Sequence, residues 1–175
     1  MLDPEKTDAA FDFGFRALGR VVYYFQQLED ELRRAVSFLI DPTWSGEGAD
    51  IVVVELSFKQ LVHVGYSLLP LFKVPEPEKA LAEWKTVLAS ALKAEEHRNK
   101  ILHSTFGVSI EEEPTFQRNK STAKFRHGKR EMVEVLDKKA VDRYFVEIGA
   151  VSSKVCDFMG RTFPRWHVRQ WRPEE

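Results

Sequence analysis

Residues 95–104, EEHRNKILHS, place carboxylates, a guanidinium, an amide, two imidazoles and a hydroxyl in one short run. Arginine stays charged at any physiological pH, and its planar fork can bridge two phosphate oxygens. Histidine gains or loses a proton near neutrality. A phosphodiester next to a ribose 2′-hydroxyl needs both kinds of group. One removes the hydroxyl proton, and the other stabilises charge on a phosphorane-like transition state. That chemistry requires no metal.

The run ends a long amphipathic pattern that starts near Pro77, a residue suited to a first helical turn. Leu81, Trp84, Leu88 and Leu92 form one stripe at helical spacing. The same spacing continues through Glu95, Asn99 and then Leu102 or His103, with Arg98 at one edge. Polar groups therefore take over an apolar face. Unpartnered burial would cost a few kcal/mol for each, and more for the charges. The face must be solvated, knit into a structural network, or line a cleft or subunit interface where chemistry happens. Asn99 and His103 are four apart and can touch. Arg98 and His103 are five apart, about 140° around an ideal helix. They converge on one ligand only if the helix loosens before Gly107 or if the ligand sits across a symmetric interface.

The elements that must position this run follow from periodicity. A first helix is expected over about Ala9 to Ile40, with Phe15, Leu18, Val22, Phe25, Leu32, Val36 and Leu39 on its core face and Thr7 or Asp8 as its cap. Gly14 and Gly19 weaken it by about 1 kcal/mol each relative to Ala, which predicts a bent or separate start. A second helix is expected from about Asp50 to Phe72, ended or kinked by Pro70, with Lys59 and Gln60 able to face the polar run. Residues 106–136 are β-favouring and broken by polar or Gly positions, which predicts a small meander with a hairpin-type turn around Gly128. A last helix begins after the N-cap Asp137 and ends near Gly160. The expected fold is mainly α: one domain spanning residues 1–175, an antiparallel bundle of four to five helices with a β-hairpin or meander inserted before the last helix.

With these elements in place, Arg98-Asn99-Lys100-Ile101-Leu102-His103 resembles the R-N-x-x-x-H signature of the HEPN superfamily, the higher eukaryotes and prokaryotes nucleotide-binding domains. The resemblance covers the helical framework, roughly residues 10–105 and 137–160. It implies a bundle with the motif near the end of the third core helix, dimerisation that brings two motifs into one cleft, and metal-independent endoribonuclease activity. It implies Arg98 as phosphate and transition-state contact, His103 as acid/base group and Asn99 as positioning residue, with Glu95 and Ser104 as supporting neighbours. RNA is the implied substrate and a second copy the implied partner. Other members of the superfamily are non-catalytic modules that bind nucleotide, RNA or protein, including an antitoxin in toxin–antitoxin systems. Arg161 to His167 matches the loose Arg-to-His spacing too, but Pro164 breaks the helix and no Asn follows the Arg.

Other features read more simply. Residues 117–130 carry Arg118, Lys120, Lys124, Arg126, Lys129 and Arg130 with no acid. They could grip an RNA backbone, but a solvated hairpin whose charges discourage edge pairing, or pair with Glu111 to Glu113, is the plainer reading. The tail, 161–175, interleaves Arg161, Arg165, Arg169 and Arg172 with Trp166 and Trp171. Stacking on single-stranded bases is one use, and docking of the tryptophans on the protein itself or on a partner subunit is the favoured one. His63 and His97 read as structural or surface histidines, and Cys156 as core.

Composition sets the outer bounds. The chain has 175 residues, 43% hydrophobic and 30% charged, with a net charge of −1, which exerts no global pull toward nucleic acid or anionic membrane. One cysteine excludes an intrachain disulfide, and no metal-ligand spacing, phosphate loop or nucleophile elbow occurs. No cofactor is expected. The opening residues are too acidic and polar for a signal peptide, and no apolar run approaches roughly 18 residues. A cytoplasmic protein without membrane contact is expected.

Overall fold

A computed structural model describes residues 3–43, 48–109, 115–124 and 128–166. The chain runs α1 (Pro4–Ile40), α2 (Gly48–Val54), α3 (Phe58–Leu68), a 3₁₀ turn (Leu69–Leu71), α4 (Pro77–Leu102), β1 (Thr105–Val108), β2 (Phe116–Lys124), β3 (Gly128–Val135) and α5 (Lys138–Thr162). It is a mainly α fold, with a three-stranded antiparallel sheet, order β1-β2-β3, before the last helix. Among the described residues, no helix is long and apolar enough to cross a membrane.

The first helix begins earlier than its periodicity implied. Asp3, rather than Thr7 or Asp8, is the cap: its carboxylate accepts from the amides of Glu5 and Lys6, and Pro4 occupies the first turn. The helix is continuous through both glycines. Gly14 serves packing: a Cβ there would lie 2.2 Å from the ring of Phe116 on β2. The core line is Ala17, Val21, Phe25, Leu28, Leu32, Val36 and Leu39. Phe15 is 64% exposed and Val22 44% exposed, against expectation, because the inward face of the N-terminal half lies one residue, about 100°, away from them.

The expected second helix is two. Residues 55–57 interrupt it, and Ser57 opens α3 with a capping box. Its hydroxyl accepts from the Gln60 amide, while the Gln60 side-chain oxygen accepts from the Ser57 amide at 2.8 Å. Gln60 is thereby committed to the cap, and Lys59 is exposed. Pro70 does close the segment, inside the 3₁₀ turn.

Four helices meet around Trp84. Its indole N–H donates to the Gly65 carbonyl of α3 at 2.9 Å, and its ring stacks on Phe158 of α5 with centroids 4.8 Å apart. Val36 of α1 lies against Gly65 at a spacing that leaves no room for a larger residue without adjustment. Phe25 of α1 packs on Phe58 of α3 at 4.8 Å. α5 starts at the predicted cap, with the Asp137 carboxylate accepting from the Ala140 amide at 2.6 Å, and runs on past Gly160 to Thr162.

The sheet occupies the predicted insertion. Phe106 and Phe116 stack across β1 and β2 at 5.3 Å, and the turn preceding Gly128 lies outside the described residues. Phe163 and Trp166 pack on Phe38 of α1 at 5.2 and 5.7 Å, so this part of the tail docks on the body. Residues 167–175, including Trp171, Arg169 and Arg172, lie outside the described residues, as do Glu111 to Glu113 and Arg126.

Candidate functional site

The buried line of α4 runs Trp84, Val87, Leu88, Ala91, Ala94 and Ile101. Arg98 falls in that line, four residues after Ala94 and three before Ile101, rather than at the edge of a polar face. The polar takeover is therefore narrower than the wheel suggested. Glu95 and Asn99 flank the line half-buried, and Leu102 and His103 are exposed.

Arg98 is half-buried and held on two sides. Its Nη1 donates to the Asn99 side-chain oxygen at 2.8 Å, and its guanidinium lies 5.0 Å from the centre of the Phe25 ring. Asn99 therefore positions the arginine. Phe25 in turn rests on Phe58, so the first turn of α3 supports the site from below. No carboxylate pairs with Arg98 among the described residues. The other two arginines drawn inward among the described residues differ: Arg33 pairs with Glu29 at 2.6 Å, and Arg118 pairs with Glu134. Glu95 makes no ion pair among the described residues.

His103 is the residue at which α4 stops. Its backbone has left the helical region (φ −99°, ψ 25°), but its amide still donates to the Asn99 carbonyl at 3.1 Å. Residues 98–102 thus remain helical, and Arg98 and His103 project in different directions from one chain. Ser104 spends its hydroxyl on the Lys100 carbonyl at 2.6 Å, which makes it part of the helix terminus.

A residue assigned above to a solvated or RNA-gripping run has another role. Arg118 is 4% exposed. Its Nη1 donates to the same Lys100 carbonyl at 3.0 Å, and its Nη2 pairs with Glu134 directly opposite on β3. It ties the sheet to the last turn of the motif helix and shares with the Ser104 hydroxyl a carbonyl that has no backbone donor at the helix end. The sequence held one hint: Glu134 sits in the apolar run MVEVL, where an acid needs a partner.

His97, on another side of α4, is also more than a surface histidine. Its ring packs edge-on to Tyr144 of α5 at 5.2 Å, and its Nδ1 lies 3.1 Å from the Glu147 carboxylate. That nitrogen is shut off from solvent, yet its angle to Glu147 is not that of a hydrogen bond. Burial pushes the imidazole pKa down, and Glu147 partly offsets this. His63 is exposed. Cys156 is half-buried, its thiol pushed up to about 12 by burial and by Glu31, so it carries no thiolate at neutral pH. Among the described residues no three His, Cys, Asp or Glu side chains gather as a metal site.

Comparison of the chain with protein-family models, with curated proteins and with solved structures finds no match to any of them.

Proposed function

We propose that this protein is a metal-independent endoribonuclease of the HEPN type, cleaving RNA by 2′-hydroxyl transesterification at a site shared between two copies of the chain. The products are a 2′,3′-cyclic phosphate and a 5′-hydroxyl. Arg98 binds the scissile phosphate, Asn99 fixes its fork, and His103 moves the proton.

The observation that carries this reading is the state of Arg98. Its charge sits in the core line of a helix, oriented by an amide and an aromatic ring and, among the described residues, neutralised by no acid. Partial burial of an unpaired charge is costly, and an anionic ligand removes that cost. A phosphodiester is the anion that a bidentate arginine beside a histidine suits best.

One observation favours a non-catalytic alternative, a module that binds RNA, nucleotide or a protein such as an antitoxin. His103 is exposed and has no side-chain partner among the described residues to set its tautomer, whereas an acid/base histidine is ordinarily held by one.

The test is incubation of the full chain with mixed single-stranded RNA in EDTA, with product ends identified. Wild type should yield cyclic-phosphate ends, and His103→Ala and Arg98→Ala should each slow cleavage by roughly 10²–10⁴-fold. Undiminished cleavage by folded His103→Ala would sink the enzymatic reading. RNA retention without cleavage, lost in Arg98→Ala, would favour the binding module.

A further inference from the structure

A cleft of about 290 Å³ opens between α4 and α5, and Arg98 is not among the residues that line it. Its lining includes Lys93 and His97 from α4 and Glu147 and Lys154 from α5, with Ser90 and Ala150 beside them and the buried Ala94 and Val151 beneath. We propose that this cleft binds a doubly charged tetrahedral oxyanion of the phosphate class, gripped by Lys93, Lys154 and His97.

Charge and geometry carry this assignment. The two lysines are exposed and have no acidic partner within ion-pair distance among the described residues. They come from different helices, so their shared focus is the space between those helices. With Glu147 included and His97 neutral, the walls carry a net charge of +1. Small residues form the floor, so a compact anion can approach both helices. Ser90 donates its hydroxyl to the Thr86 carbonyl at 2.9 Å and retains lone pairs only, which limits its part.

His97 makes the cleft responsive to its ligand. Glu147 faces Nδ1, and Tyr144 holds the ring, which leaves Nε2 as the nitrogen able to meet a ligand. The charged groups acting on this ring are Lys93, Glu96 and Lys100 from α4 and Glu147 from α5. In the free protein burial outweighs Glu147 and keeps the imidazole neutral at neutral pH. An oxyanion in the cleft adds negative charge on the far side of the ring. The imidazolium then bridges Glu147 at Nδ1 and the ligand at Nε2. Binding thus takes up a proton, and affinity rises as pH falls through the histidine's range.

The experiment is an NMR titration of the histidine ring signals in the full chain, with His97 identified from a His97→Gln variant. Sodium sulfate is compared with sodium chloride at equal ionic strength, because sulfate does not itself titrate in this range. The expected result is a His97 midpoint raised by at least half a pH unit in sulfate. The rise should be lost in Lys93→Gln/Lys154→Gln and kept in Arg98→Ala, which separates this site from the motif. No rise, a rise that survives the double lysine variant, or a rise abolished by Arg98→Ala would each overturn the proposal. Inorganic phosphate and uridine 5′-monophosphate at pH 7.5 should then perturb the same signals. Equal affinity would mark the free oxyanion as the ligand, and tighter binding of the nucleotide would mark a phosphomonoester. Perturbation by neither would overturn the assignment.

Discussion

Two glycines on one helix show how a single hydrogen-to-methyl change takes its sign from its surroundings. Both sit inside α1, where replacement by alanine should favour the helix by up to about 1 kcal/mol through backbone entropy. Gly19 has nothing within 4 Å of where its Cβ would stand. Gly19→Ala should therefore stabilise by roughly 0.5–1 kcal/mol. At Gly14 the methyl would meet three ring atoms of Phe116 at 2.2 to 2.4 Å. That ring is buried and stacked on Phe106, so it cannot swing away freely. Gly14→Ala should destabilise by roughly 1–3 kcal/mol as the sheet is pushed off the helix. Denaturant titration of the two variants side by side checks both signs. Equal effects would mean that Phe116 does not pack on α1 as described. From the sequence alone both residues were helix weakeners, since propensity is local while the ring that needs Gly14 lies about a hundred positions further along the chain.

At the scale of elements, the sheet belongs to the motif helix. Arg118 reaches from β2 to the Lys100 carbonyl and is neutralised by Glu134 on β3, so three elements converge on the last turn of α4. Arg118→Met keeps the length of the side chain but leaves that carbonyl to the Ser104 hydroxyl alone and Glu134 without its cation. A fully buried pair broken on one side costs about 3–5 kcal/mol. Glu134 is about one-third exposed, so a smaller loss, roughly 2 kcal/mol, is expected. For a chain of this size that lowers Tm by roughly 4–8 °C. Amide exchange at Leu102 and His103 should accelerate more than the global loss of stability explains. Uniform acceleration would reduce Arg118 to a general core residue. Most of this architecture was legible in advance where the signal was local. The Asp137 cap, the extent of α4, the stop at Pro70 and, in its described residues, the strand-like 106–136 region stand. The failures share a cause. Arg118 was read by its basic neighbours, although its place opposite Glu134 and against the last turn of α4 makes it an interior residue. The IVVVELSF segment was read by apolar run length, although Ser57-x-x-Gln60 spelled a new helix start. Arg98 was placed at an edge because a wheel assigns faces without knowing that the core line includes Ala91 and Ala94.

At the scale of the whole molecule, the proposed chemistry asks two residues that diverge on one helix to act on one phosphate. Residues 98–102 keep helical bonding, and the His103 amide still reaches Asn99, so the helix end does not unwind enough to bring His103 round to Arg98. If both groups touch the same phosphodiester, they come from different copies. The surface is suited to a second copy: Phe11, Phe15 and Val22 line an outward face of α1, and Leu102 is exposed beside the motif. Such a residue series on a helix, left open to water, is a common form of subunit contact. A shared site makes a definite prediction for mixed variants. Arg98→Ala and His103→Ala homodimers should both be inactive. In a heterodimer of the two, one of the composite sites lacks both groups, while the other keeps Arg98 from one copy and His103 from its partner. Co-refolding the inactive variants, or exchanging their subunits, should therefore restore cleavage to half of the wild-type specific activity per heterodimer. If both residues instead act within one chain, each protomer of the heterodimer lacks one of them and the mixture stays inactive. Phe15→Glu should weaken self-association in sedimentation and lower cleavage in the same proportion, as the proposed shared site requires.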